Sequence, residues 1–509
     1  MQGFIGQNHT MGDIQLLQKI QNGFIGKDTV YPTADGRHSP RRYLDSAAST
    51  LMMTPAFEVA KAFLQHYAST HSKLHYAARG ASEAYDWAHR CVLKFVGADE
   101  DRYSCYFTGN GATAGFNRIA LALCQQRPER RIVLVSEMEH HSNDLPHRAH
   151  SQVVHIPIIG EGATGGGIDI ETIRTLVNQH GENINYIAIT GASNVTGVLT
   201  PIYKVAQLAH SVGARILVDA SQIIAHAPVS MYSDALDDAD IDVLIFSGHK
   251  IYAPGSPGVV VAKTCLLNDT SPRELGGGMI TDVYLEQYMV SDVLPDREEA
   301  GTPNIVGAIT LGATLEVLMR VGMESIREKE TGLINSLWEK LSEIEDIRLY
   351  GPSPHNMPRT GAIAFNIKDF DHGLTAAALN DIHNIQVRNG CFCAHPYVRE
   401  MLKRELWAMD IDPDVPSAEA DIERKRGMVR ASLGLYTTEN DLQVLVEAVK
   451  DLIARKNEIH QCYQPMGADG YQHRWYKPDT DTIFNPLATL EKVLRQFPRK
   501  GFELVGGSG

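Results

Sequence analysis

Lys250 and Asp219 are the residues best placed for covalent chemistry. Each closes a short apolar, partly β-branched run: Ile216 to Val218 leads into Asp219, and Val243 to Phe246 leads into Ser247, Gly248, His249 and Lys250. Such runs read as buried parallel strands whose carboxyl ends open onto a site. An amine and a carboxylate delivered to one sheet edge are what a pyridine aldehyde cofactor needs. The Lys forms an imine with it and the Asp partners the ring nitrogen. The pair therefore suggests pyridoxal 5'-phosphate. Contact with an opposite charge moves a pKa by about 1 to 3 units, so Asp219 is expected to keep the ring nitrogen protonated. Gln222 follows as a donor to the phenolate oxygen, and Ser247 and His249 flank Gly248 within reach of the phosphate.

Other segments carry matching chemistry. FTGNGATAGFN (Phe107 to Asn117) sets Gly109 and Gly111 ahead of a helix. Backbone N–H groups and the helix dipole there attract an anion, with Ala112 and Thr113 in the cradle. RIVLVSEMEHHSNDLP (Arg131 to Pro146) is a strand opening into His140 and His141. An imidazole at that end can stack on a pyridine ring and exchange protons near neutrality. Adjacent histidines point in different directions and so rarely chelate a metal together; His141 is read as structural. Cys393 lies in VRNGCFCAHP on a Gly-preceded loop beside Arg388 and His395. Cationic neighbours favour the thiolate. Arg430, in VRASLGLYTTEND, can pair with a carboxylate through two parallel hydrogen bonds.

The elements that must position these groups follow from hydrophobic period. Strand and helix alternate from 131 to 262, which argues for a mainly parallel sheet with helical cover and an α/β fold. A helix over Ser82 to Val96 aligns Tyr85, Ala88, Val92 and Phe95 on one face. From about 317 the pattern changes to a long, interrupted helical stretch (Val317 to Ile344), short strands around Ile363 to Ile367 and a helix around Thr375 to Ile382. This reads as a smaller α+β domain. An N-terminal helix runs from Asp13 through Ile14, Leu17 and Ile20. A last helix has Asn485 as cap, Pro486 in its first turn, and Leu487, Leu490, Leu494 and Phe497 on one face. The expected organisation is an arm over 1–42, a large domain over 43–316, a small domain over 317–456 and an extension over 457–509. The terminal GGSG reads as a linker and is left out of the fold argument.

Length and composition set the bounds. At 509 residues the chain is too long for one compact domain. It is 43% hydrophobic and 21% charged, as in an ordinary soluble enzyme. A net charge of -14 argues against a nucleic-acid partner, which relies on a Lys/Arg surplus. Seven cysteines at irregular spacing, without an apolar signal segment at the start, suit a reducing compartment and a cytoplasmic location. No stretch approaches the roughly 20 apolar residues of a membrane span.

Together, DASQ at Asp219, SGHK ending at Lys250, MEHH at His140 and AGTPN at Thr302 resemble fold-type I pyridoxal-phosphate enzymes of the aminotransferase class V superfamily. The nearest likeness is to group II, SUF-type cysteine desulfurases, over roughly residues 40 to 455. The resemblance implies a large domain with a mainly parallel seven-stranded sheet and a smaller α+β C-terminal domain. It also implies that the N-terminal arm packs with the small domain, and that YLDSAAST (Tyr43 to Thr50) enters the large one. For the site, it implies His140 stacking on the cofactor and Asn194 near the phenolic oxygen and the substrate carboxylate. It implies Arg430 and Arg388 on that carboxylate, Lys250 as base, and Cys393 as nucleophile in an R-x-G-x-x-C-A loop. The Gly301-Thr302 turn is implied to reach a partner subunit's phosphate in a homodimer. GCFC, with Cys391, is also similar to the desulfurase domain of molybdenum-cofactor sulfurases. The implied activity is conversion of L-cysteine to alanine with a persulfide on Cys393 and transfer of the sulfur to an acceptor protein. The alternatives are a cysteine or selenocysteine lyase, another class V transaminase or epimerase, and a sulfur-donor scaffold with slight activity of its own. No metal site is expected.

Overall fold

Seven strands build the central sheet: β1 (Tyr103–Thr108), β2 (Ile132–Ser136), β3 (Gln152–Ile156), β4 (Ile184–Thr190), β5 (Arg215–Asp219), β6 (Val243–Ser247) and β7 (Gly258–Lys263). They belong to a computed structural model that describes residues 14–70, 72, 74–160, 164–407, 426–467 and 470–496. Their order is β3-β2-β4-β5-β6-β7-β1. Strands β2 to β6 run parallel, and β7 is antiparallel to both of its neighbours. The loop from β6 to β7 is too short for a crossover helix, so β7 must return antiparallel. The sheet is thus mainly parallel, as expected, with one reversed strand.

Both faces are covered, which explains why β4 and β6 are buried at every position. Alternate residues enter different cores: Ile216, Val218, Leu244 and Phe246 point to one side, and Leu217, Val243 and Ile245 to the other. Helix α1 (Ile14–Gln21) and helix α2 (Tyr76–Phe95) belong to the first face. Helix α3 (Gly111–Gln126) covers the second with Phe116, Ile119 and Leu123. Helix α4 (Ile305–Val321) is apolar nearly all round because it is buried against α2. A Cβ on Gly312 would lie 2.8 Å from the Trp87 ring, so the two helices cross in contact. Among the described residues no single helix is long and apolar enough to cross a membrane. The bent pair of α4 and α5 (Met323–Ser342) passes on length and composition, but α4 lies inside the core.

Gly322, at φ +85°, ends α4 and is the interruption in the expected helical stretch. Helix α5 then reaches a second core with Leu333, Leu337 and Leu341. Strands β8 (Ile347–Tyr350), β9 (Ala362–Ile367), β10 (Arg388–Gly390) and β11 (Met428–Ser432) form an antiparallel sheet in the order β8-β9-β11-β10. Val429 and Ala431 enter this core, so the period of two turns Arg430 to the opposite face. The arm bridges both cores. Leu17 and Ile20 of α1 join the larger one, whereas Arg42 and Tyr43 pair with Ile385 and Gln386 and Leu44 enters the smaller one. Asp13, Phe497 and the terminal GGSG lie outside the described residues. Helix α6 (His395–Trp407) follows the Cys393 loop. Helix α7 (Pro486–Gln496) carries Leu487, Leu490 and Leu494 exposed.

Candidate active site

At the carboxyl ends of β5 and β6 the chain assembles an anion cradle. Ser247 Oγ accepts a hydrogen bond from the Ala112 N–H at 2.8 Å. This joins the end of β6 to the first turn of α3, a 16-residue helix whose dipole points at the same spot. Gly111 takes φ +60°, which a side chain resists, and a Cβ on Gly258 would come within 2.2 Å of the Gly111 carbonyl carbon. Thr113 and Ser142 share a hydrogen bond of 2.8 Å at the mouth. His249 is tied through Nδ1 to Ser49 Oγ at 3.2 Å, and burial beside Lys250 pushes its imidazole down to about 4. Three hydroxyls, backbone N–H groups and a helix terminus are a donor set that fits a phosphate.

Lys250 is half-buried, and burial lowers its ammonium pKa below the ordinary value. The charges of Arg430 and Arg388 act the same way, while Asp219 and Cys393 oppose them. These interactions bring Lys250, Asp219, Cys393, Arg430 and Arg388 into one electrostatic group. Asp219 is buried and accepts from the Ser221 N–H at 2.8 Å. Burial pushes its carboxyl up, against that hydrogen bond and Lys250. A cationic ring nitrogen facing it would reverse the shift, which is the behaviour expected of a site built for a protonated pyridine. His140 accepts from the Ser142 N–H at 3.1 Å. Burial, Lys250, His141 and Arg430 hold its imidazole down to about 3, so it is neutral at physiological pH and, contrary to the expectation from its residue type, does not titrate near neutrality. Gln222 donates to the Ala47 carbonyl at 2.9 Å. The set of residues thus fits pyridoxal 5'-phosphate at both its anionic and its cationic end.

Opposite this group lies an arginine pair. Arg430 is 2% exposed and donates to the Asn194 carbonyl at 2.8 Å and to Asp45 at 3.1 Å. Its Nε is buried without a partner among the described residues. Burial lowers the guanidinium pKa to about 10, with Asp45 acting the other way. Arg388 reaches the second Asp45 oxygen at 3.0 Å. Asp45 therefore brackets both arginines and leaves the pair one net positive charge, matched to a single carboxylate. Sequence reasoning missed Asp45. It lies within YLDSAAST, and only the pairing of β11 with the chain near residue 45 brings it to the arginines. Asn194 also donates from its side chain to the Phe392 carbonyl at 2.7 Å, and the Phe392 ring stacks 4.8 Å from the Arg430 guanidinium.

Cys393 is exposed at the tip of a tight turn. The Ala394 N–H closes the turn onto the Cys391 carbonyl at 2.9 Å, and Phe392 and Cys393 have φ of +54° and +55°. Two successive left-handed residues mark a primed turn normally filled by Asn or Gly. Each non-glycine residue there costs about 1–2 kcal/mol. The turn thrusts the thiol outward while Phe392 stays buried. Cys391 points elsewhere, its thiol donating to the Arg426 carbonyl at 3.2 Å. Thr302 stands exposed on the rim of a cavity of about 200 Å³ shared with Thr108, Gly109 and Arg118. His226, given no role from sequence, is buried against Glu330 at 2.7 Å.

Glu139, next to His140, is a further residue missed from sequence. Its carboxyl receives Ser136 Oγ, the Thr190 N–H at 2.7 Å and Asn143 Nδ2 at 2.6 Å. Burial outweighs these bonds and pushes it up to about 8 from an ordinary 4.5. The folded chain then keeps a proton that the unfolded chain releases. Stability from this group is full below about pH 4.5 and is lost as pH rises through about 8. Glu139→Gln should flatten that part of the profile, so the wild type should lose more Tm than the variant between about pH 5 and pH 9. Parallel slopes in thermal melts would contradict the assignment.

Comparison with known proteins gives a consistent result. The Aminotransferase class-V family model matches residues 42–445. A cysteine desulfurase of Escherichia coli (strain SE11) is 32% identical over 418 residues, covering 81% of this chain and 93% of the relative. A cysteine desulfurase of Shigella sonnei (strain Ss046) matches to the same extent, at 32% identity over 418 residues. Among solved structures, the apo cysteine desulfurase from Thermococcus onnurineus NA1 superposes with a TM-score of 0.70 at 27% identity, over 81% of this chain and 94% of that one. A cysteine desulfurase from Escherichia coli bearing an S-sulfonic acid shares the fold, with a TM-score of 0.68 at 24% identity, over 86% of this chain and 98% of that one.

Proposed function

Because the chain belongs to the aminotransferase class-V family, we propose that it is a pyridoxal-phosphate L-cysteine desulfurase that leaves alanine and a persulfide on Cys393. The observation that carries this reading is an exposed thiol on a strained turn whose preceding residue, Phe392, is held by Asn194 and packs against the Arg430 guanidinium.

Bound cofactor supplies an electron sink for negative charge developing at the substrate α-carbon. Ala112, Thr113, Ser247 and His249 would hold the phosphate, and Asp219, Gln222 and neutral His140 would hold the ring, Asp219 at its nitrogen and Gln222 at its phenolic oxygen. Asn194, Arg388 and Arg430 fix the substrate carboxylate, Arg430 through its buried, unpartnered Nε edge. Lys250, with its pKa lowered, is a competent base and takes the α-proton. Cys393 Sγ, as thiolate, then attacks the substrate sulfur. A sulfur–sulfur bond forms, the Cβ–sulfur bond breaks with its pair passing to Cβ, and a proton delivered to Cβ together with return of the α-proton from Lys250 to Cα completes alanine. One cysteine and one enzyme thiol thus yield one alanine and one enzyme persulfide, whose outer sulfur is available to an acceptor protein.

Thr302, exposed in the single chain, is read as the residue that a homodimer would bring to the partner's phosphate. All seven cysteines are free, which suits a reducing, cytoplasmic setting. The test is incubation of the cofactor-loaded protein with L-cysteine, with product analysis and intact mass. Alanine in step with the mass of one added sulfur on the Cys393 peptide is expected. Pyruvate with ammonia, or a requirement for an oxo acid, would favour a lyase or a transaminase instead.

A further inference from the structure

The turn that carries Cys393 belongs to the small sheet, yet its fixed points lie on the large one. Asn194, just past β4, donates to the Phe392 carbonyl at 2.7 Å. The His141 N–H, just past β2, donates to the Cys393 carbonyl at 2.8 Å. A third tie is made between side chains. His141 Nε2 and His395 Nδ1 lie 2.9 Å apart, and their rings stack 4.8 Å centre to centre at 11°. The His395 backbone N–H, an orphan donor at the start of α6, also faces His141 Nε2 at 3.4 Å. Two donors converging on one nitrogen make His141 Nε2 the acceptor and put the His395 proton on Nδ1. His141 directly follows His140, which shares the charge environment of Lys250.

We propose that His141 and His395 are positioning residues that clasp the Cys393 turn onto the large domain and so set the approach of its sulfur to the substrate. The inference rests on Cys393 being the nucleophile. A turn with two left-handed, non-glycine residues relaxes when its anchors are removed. The bonds to the Phe392 and Cys393 carbonyls hold the body of the turn, and the imidazole pair holds the residue that leads into α6. Neither histidine touches the cofactor groups, so losing the clasp disturbs the nucleophile and leaves cofactor loading intact.

The experiment uses the cofactor-loaded full chain and His395 variants chosen by atom position. Asparagine puts an amide nitrogen where Nδ1 was, whereas glutamine puts it where Nε2 was. H395A and H395Q should lower kcat about fivefold to tenfold, the loss of one hydrogen bond, with KM unchanged. They should also change the alkylation rate of Cys393 by iodoacetamide, read by peptide mapping, by a similar factor. H395N should restore both values, and H141Q, which keeps an acceptor oxygen at the Nε2 position, should behave likewise. If H395A does not fold, the contrast between H395N and H395Q decides. Wild-type alkylation and kcat in H395Q, or equal defects in H395N and H395Q, would overturn the clasp. The alkylation contrast stands without turnover, so failure to desulfurate cysteine would remove the proposed function and leave the clasp to be judged on its own readout.

Discussion

Lys250→Ala is expected to reduce alanine formation by at least about 10⁴-fold, the upper range of a single proton-transfer group, because the same amine is also proposed to anchor the cofactor. Lys250→Arg should be as damaging. It keeps the positive charge opposite Asp219, but a guanidinium does not release its proton and cannot serve as base or attached amine. Borohydride treatment of the loaded wild type should fix the cofactor at position 250, and both variants should lose that label. Among the described lysines the environment marks this residue as the candidate. It is the one whose ammonium is disfavoured by burial and two arginines while a carboxylate and a thiol face it. Lys329 also has a lowered pKa, near 8, but it donates to the Leu435 carbonyl and has Glu330 beside it. Turnover within about tenfold of wild type in Lys250→Ala would sink the assignment.

What the sequence made legible was whatever is written locally. Asp219 and Lys250 end apolar runs of strand length, and the carboxyl ends of β5 and β6 lie where those runs stop. The anion cradle was readable from Gly109 and Gly111 ahead of a helical stretch, and α3 begins at Gly111. Arg430 could be assigned to the site side of its strand because Val429 and Ala431 have a core to enter. The reversed direction of β7 was not foreseen, although the short connection after Lys250 already excluded a crossover.

Contacts that depend on distant register were invisible. Asp45 meets Arg388 and Arg430 across 343 and 385 residues, and nothing in the local pattern of YLDSAAST marks it as their counter-ion. In sequence His141 reads as structural, and neighbouring histidines are expected to diverge. They do, with ring centres 6.3 Å apart. That divergence is what turns His141 toward His395, a partner 254 residues away. Glu139 escaped notice for a related reason. A glutamate before two histidines reads as a solvated loop residue, and only the packing of β2 against β4 buries it under Thr190. The helix of α7 was legible from its cap and its apolar period, which fix a face without saying what covers it.

Cys393→Ser should abolish the persulfide and lower alanine formation from cysteine by about three orders of magnitude. A thiol at neutral pH supplies a few per cent of reactive thiolate, and a serine hydroxyl supplies essentially none. Cofactor fixation at Lys250 should be unaffected, which separates loss of the nucleophile from loss of the cofactor site. Cys393→Gly sharpens the argument because activity and stability should move in opposite directions. The residue sits at φ +55°, where glycine is at ease and a side chain is not. Its folded state should therefore gain roughly 1 kcal/mol while the persulfide disappears. Glycine's greater freedom in the unfolded chain offsets part of that gain, so a Tm equal to or above wild type is the expected reading. A Tm several degrees lower would mean that the turn is not strained at this residue. The thiol would then hold its position for packing and not for reaction.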